Sequence, residues 1–178
     1  MTPARLRLES GASTFARHAR QRSTQILLTA GVAAVLLHAL TRVPLHLPGH
    51  EGLVWMAILM LARLISPYRW AATVVAMGAA AAASFLGFHD ALAPLGYLLP
   101  GVVLDLATLA SARNPIVMVL GAALGYCAHP ALDWLALHAL GVTIGPAQVG
   151  LATAFGSHLG FGLAGALIGA ALWRTTRG

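Results

Sequence analysis

Six apolar stretches separated by short polar links take up nearly the whole chain, running roughly over 24–44, 52–65, 70–88, 92–111, 115–140 and 147–173. A hydrocarbon core about 30 Å thick is crossed by roughly 20 helical residues, so the pattern predicts an all-α polytopic membrane protein, a six-transmembrane-helix bundle. The second stretch is short and carries Arg63 near its end, which leaves a re-entrant segment as the competing reading there. Helix breakers fall mostly at the edges: Pro44, Pro48 and Gly49 after the first stretch, Ser66-Pro67 after the second, Gly141 to Pro146 before the sixth. Asn114-Pro115 opens the fifth with a capping side chain followed by proline in the first turn. Two prolines are internal, Pro100 and Pro130; each frees a backbone carbonyl and predicts a kink.

Charge gives the bundle a direction. Arg5, Arg7, Arg17, Arg20 and Arg22 precede the first stretch, Arg63 and Arg69 separate the second from the third, Arg113 the fourth from the fifth, and Arg174 and Arg177 follow the sixth. The other three links hold only His46, His50, Glu51, His89 and Asp90 as ionisable groups. By the positive-inside rule this places both termini in the cytoplasm, N-in/C-in, in a cell membrane (the inner one in a Gram-negative cell). Arg42 is the exception, close enough to the end of its span to snorkel. Three parts follow: a basic cytoplasmic arm at 1–23, a six-helix transmembrane domain at 24–173 and a short cytoplasmic tail at 174–178.

Composition narrows the function classes. Only 9% of residues are charged and 58% are hydrophobic, against about 25% charged in soluble domains. No room is left for a soluble catalytic domain. The net charge of +6 is spread over all the cytoplasmic segments; its one cluster, the arm, is expected to meet anionic membrane lipid and no nucleic acid. The arm and the long first span do not have the form of a cleavable signal peptide. Cys127 is the only cysteine, which excludes intrachain disulfides and predicts a small packing residue. There is no phosphate loop, no H-E-x-x-H helix and no G-x-S-x-G elbow. Ser157 and His158 are neighbours on a helix, about 100° apart, and cannot form a nucleophile–base pair. The chain is read as a non-enzyme with no resident cofactor.

Small residues recur at helical spacing: Ala30-x-x-x-Ala34, Gly121-x-x-x-Gly125, Gly156-x-x-x-Gly160 and Gly165-x-x-x-Gly169. Such faces let helix backbones approach closely in lipid, chiefly within the bundle. Trp70 and Trp173 fall at predicted inner ends, and Trp55, Tyr97 and Trp134 toward the outer side, as interfacial belts require.

The ionisable groups other than arginine concentrate on the outer side. His38 lies in the outer half of the first span, His129 and Asp133 in the outer third of the fifth with His138 at its end, and His158 near the middle of the sixth. Titratable groups in hydrocarbon normally face a cavity or a partner. His129 and Asp133, four apart, share one helix face, and the carboxylate is placed to accept a hydrogen bond from the imidazole. Two chemistries fit the cluster. One is a metal held by imidazole and carboxylate, from His46 and His50 or from His129, Asp133 and His158. The other is an organic ligand in a pocket lined by Trp55, Tyr97, Tyr126 and Trp134. The links without arginine favour a substrate that is not strongly anionic.

The layout resembles the substrate-binding (S) components of energy-coupling factor (ECF) transporters. The resemblance rests on six helices over about 24–173, on the loop Pro44-Leu45-His46-Leu47-Pro48-Gly49-His50-Glu51-Gly52 followed by Leu53-Val54-Trp55-Met56, and on the Ala30/Ala34 motif. It implies capture of a vitamin-like small molecule from outside and closure of that loop. Reorientation would follow with a transmembrane coupling subunit and ATPase subunits, the coupling subunit meeting Ala30 and Ala34. The family's site would fall here on His50, Glu51, Trp55, Tyr97, His129, Asp133 and His158. The Met-His start of the cobalt and nickel members is missing, since the chain begins Met1-Thr2-Pro3. The alternative is a small membrane redox or enzyme subunit in which His38, His129 and His158 hold haem or metal.

Overall fold

The computed structural model of the chain describes residues 3–41, 49–86, 92–111, 114–141 and 150–176, including their side chains except at 3–18, 41 and 140. Within these residues the chain is all helical: α1 (Pro3–Thr41), α2 (Gly52–Ile65), α3 (Ala71–Phe85), α4 (Ala93–Ala110), α5 (Pro115–Tyr126), α6 (Ala128–Leu140) and α7 (Leu151–Thr175). Four segments are long and apolar enough to cross a membrane: Ala19–Leu40 within α1, Ala93–Ala110, Pro115–Ala139 and Leu151–Thr175. Helices α2 and α3 are equally apolar but shorter, reaching about 21 and 22 Å at the usual rise per residue. The six expected stretches all appear as helix. From Pro3 onward the expected arm is continuous with the first span, since α1 runs over Pro3–Thr41.

The fifth stretch departs from a single kinked helix. It breaks at Cys127 into α5 and α6, three residues before Pro130. The pyrrolidine ring of Pro130 crowds the carbonyl four residues back, at Tyr126, and has no N–H to offer it. Breaking one residue later places Pro130 in the first turn of α6, where an N–H would lack a helical acceptor anyway. Pro100, by contrast, is carried inside an unbroken α4.

Helices α2, α3, α4, α5 and α7 close a ring in the spatial order α2–α3–α4–α5–α7, and α1 lies outside it on α3. The core is filled by Met56, Leu59, Met60, Val75, Leu104 and Met118. Three of the four small-residue motifs face the interior side of the bundle. Gly121 and Gly125 press on α4 at Ala107, Val103 and Pro100, and Gly165 and Gly169 on the α2 backbone at Leu53 and Ala57. Ala34 packs against the core and Ala30 is half-buried, while Gly31 between them approaches the Val75 carbonyl of α3. Gly156 and Gly160 face open space.

Ionisable groups segregate to the two ends of this bundle. At one end the Arg20 guanidinium lies over the Tyr68 ring, 5.4 Å from its centroid. Arg63 Nη1 donates to the Tyr68 carbonyl at 2.9 Å, and Arg63 Nε lies 3.4 Å from Asp105 Oδ1. Asp105 Oδ2 also accepts from the Thr73 N–H at 2.7 Å and the Thr73 hydroxyl at 2.8 Å, and Oδ1 from the Ala72 N–H at 3.4 Å. Trp70, the N-cap residue of α3, supplies no side-chain cap, so α4 provides one through Asp105. Orphan N–H groups and the helix dipole both favour a carboxylate there. This arginine pole ties α2, α3 and α4 together. His38, His50, His129, His138 and His158 lie toward the opposite end, whereas His18 precedes Arg20 on α1.

Candidate functional site at the histidine pole

Helix α2 starts beneath a tight turn closed by the Gly52 N–H donating to the Gly49 carbonyl at 2.9 Å. Gly49 has φ of 78°, a left-handed conformation that suits glycine, and a Cβ on it would lie 2.8 Å from His158 Nδ1 of α7. A Cβ on Gly52 would meet the Tyr126 ring of α5. The turn therefore sits directly on two rings, which stack on each other with centroids 5.0 Å apart and planes tilted by 30°. Two glycines make that seat.

Glu51 is the N-cap residue of α2 but does not cap it. Its carboxylate turns to α1 instead, where His38 Nε2 lies 3.1 Å from Oε1. The hydrogen bond from His38 holds the Glu51 carboxyl below the usual carboxylate value; burial opposes this, and the charges of His38, His50 and His129 reinforce it. Since α1 otherwise packs almost wholly on α3, this pair is a principal link between α1 and the turn.

Behind the turn, His129 of α6 meets His158 edge to face with centroids 5.7 Å apart and lies against Gly96 of α4. His158 Nδ1 is 2.8 Å from the Ala154 carbonyl, which can only accept, so Nδ1 carries the proton and Nε2 is left as the acceptor. Ser157 donates to the same carbonyl at 3.0 Å. Trp55 is buried, 6% exposed, with the Tyr97 ring perpendicular to it at 5.5 Å. It is a core residue, not the interfacial anchor expected, because one turn of helix below Glu51 faces into the ring of helices. Its Nε1 has no hydrogen-bond partner among the described residues.

The structure thus brings His50, Glu51, Trp55, Tyr97, His129 and His158 to one end of the bundle, and His38 and Tyr126 with them. Asp133 is at its edge. Its Oδ2 is 3.8 Å from His129 Nδ1, within ion-pair range but beyond a hydrogen bond, so the expected tautomer-fixing bond is not formed. Trp134 points away and stacks on His138, 4.5 Å between centroids, at the exposed surface. His46, His89 and Asp90 lie outside the described residues, and among the described residues no three His, Cys, Asp or Glu are grouped to hold a metal ion. The His38–Glu51 contact was not anticipated from sequence, and neither was the Arg63–Asp105 tie. Both join residues on different helices, and no local spacing reports such a pair. Comparison with protein-family models, with curated proteins and with solved structures finds no match for this chain.

Proposed function

We propose that the protein is the membrane-embedded substrate-binding subunit of an ECF-type uptake transporter. In this reading the arginine pole is cytoplasmic and the histidine pole faces outward, as the positive-inside rule requires. A small vitamin-like molecule enters from outside, lifts the turn at Gly49–Glu51, and is bound among Glu51, Trp55, Tyr97, His129 and His158. A coupling subunit and ATPase subunits then drive reorientation, and the ligand contributes by binding one orientation better than the other.

The observation that carries this reading is the convergence, from the turn and from α2, α4, α6 and α7, of carboxylate, imidazole and aromatic groups under a glycine-hinged turn. A few convergent polar groups among aromatic side chains is the usual form of a small-molecule site. The Trp55 indole N–H supports it, since a buried indole normally has an acceptor and a ligand would supply one.

Mass spectrometry of the gently purified protein tests the proposal. The native protein is expected to carry a small molecule that His158→Ala loses while still inserting and remaining monodisperse. Equal retention by native protein and variant would remove the site. A coloured preparation with a Soret band would replace the reading with a haem-binding one.

A further inference from the structure

At the arginine pole Arg20 has no carboxylate to pair with. Of the five acidic residues, Glu51, Asp90 and Asp133 belong to links or helix ends away from this pole. Asp105 is fully buried and taken up by Arg63, Thr73 and Ala72. That leaves Glu9, which precedes Arg20 on α1 by about 16 Å along the helix axis. Arg20 is exposed, and its described contact is with an aromatic face, the guanidinium lying 5.4 Å from the Tyr68 ring centroid. A ring occupies only the face of a guanidinium and leaves its in-plane N–H donors unused.

Arg20 borders an open groove of about 470 Å³ lined by Arg20, Gln21, Thr24 and Gln25. These residues share one face of α1, since Arg20 and Thr24, and likewise Gln21 and Gln25, are four apart. Gln21 and Gln25 are exposed, and each adds two amide N–H donors. Thr24 donates its hydroxyl to the Arg20 carbonyl at 3.0 Å. The groove lies in the first turns of the Ala19–Leu40 segment, which is long and apolar enough to cross a membrane. Tyr68, which Arg20 covers, and the half-exposed Trp70 belong to the link at the same pole. Tyrosine and tryptophan at the end of a span mark the headgroup layer.

We propose that this groove seats the phosphodiester of an anionic phospholipid, held by charge-assisted hydrogen bonds from Arg20 and by the Gln21 and Gln25 amides. Depth selects a lipid over a soluble anion, because the donors stand where a span begins. Ile26, next along α1, is 61% exposed and offers an apolar surface to the acyl chain. The general attraction of a basic arm for anionic lipid is thereby narrowed to one seat with directional donors, and the seat is independent of the proposed transport.

The test uses the full chain in detergent micelles, titrated with dioleoylphosphatidylglycerol and dioleoylphosphatidylcholine and read by native mass spectrometry. The protein is expected to hold phosphatidylglycerol more tightly than phosphatidylcholine, whose choline cation offsets its phosphate. Arg20→Gln should weaken phosphatidylglycerol binding about fivefold, the share of one arginine near a charged headgroup. Gln25→Leu should weaken it with no change of charge. Arg174→Gln removes the same charge from the end of α7 and should leave it unchanged. Equal binding of the two lipids would overturn the proposal, as would no lipid bound at all. Equal losses from Arg20→Gln and Arg174→Gln would mean diffuse attraction and overturn it too. Displacement of phosphatidylglycerol by an equimolar amount of inorganic phosphate would make the groove a seat for a soluble anion, again against the proposal. In each of those cases a small molecule retained by the native protein and lost from His158→Ala would still leave the proposed function in place.

Discussion

The two ends of the bundle hold similar chemistry in opposite states. At the arginine pole Asp105 is fully buried and accepts three hydrogen bonds beside Arg63. At the histidine pole Glu51 and His38 are about half and one third exposed, Asp133 is beyond hydrogen-bond reach of His129, and the Trp55 N–H lacks an acceptor among the described residues. Polar groups that satisfy one another lock helices together. Partly exposed ones can be reached by other groups. A buried carboxylate with several donors rigidifies its surroundings, whereas partly exposed carboxylate and imidazole groups at the rim are what the proposed ligand site requires.

Removing a partner at the arginine pole should therefore have the largest effect. Asp105→Ala leaves Arg63 buried without its carboxylate and the start of α3 without its cap, a loss of about 3–5 kcal/mol. Thermal unfolding in detergent should show it, and Arg63→Met with Asp105→Leu should recover most of it. A variant melting like the native protein would mean that the contrast between the poles is not energetic. Next, Gly165→Leu forces a side chain against the α2 backbone and should cost about 1–3 kcal/mol. Gly160→Leu, facing open space, should cost nothing measurable; equal losses would mean that the α7 face at Gly160 is also packed.

Smaller effects belong to the histidine pole. His129→Ala should change the melting temperature little, by an amount equivalent to about 1 kcal/mol, yet reduce ligand retention strongly. A loss of fold comparable to that of Asp105→Ala would instead make the histidine pole structural. The least effect is expected from Glu51→Gln, about 0–1 kcal/mol for a half-exposed pair. Its signature is in pH. The Glu51 carboxyl is held below its ordinary value of 4.5, first by the His38 hydrogen bond. Its stabilising contribution is therefore complete above that value and lost as pH falls through the lowered one. Native and Glu51→Gln melting curves should converge as the pH falls progressively below the ordinary value of 4.5; parallel curves would show that the pair does not fasten the turn.

Part of this was legible along the chain. Apolar stretches of sufficient length mark helices because lipid or core burial is decided residue by residue, and the arginines separated from the histidines because each link has one composition. Asn114 caps α5 through its side chain to the Ile116 N–H at 3.0 Å, as Asn-Pro foretold. Pro130 gave warning of a distortion but not that the helix would break at Cys127, one residue past the Tyr126 carbonyl that the ring crowds. Trp55 looked like an interfacial anchor because its depth was readable and its facing was not.

Helix positions, the polarity of each link and the residue types available at each end were determined by the sequence itself, since these depend on local hydropathy and backbone stereochemistry. Only the tertiary structure decided which of them meet. Arg63 with Asp105, His38 with Glu51 and Gly49 with His158 are contacts between separate helices or a turn and a helix, set by how five helices close a ring and α1 packs on its outside. Energies between distant segments appear only once the backbones have approached, and no periodicity along one segment encodes them.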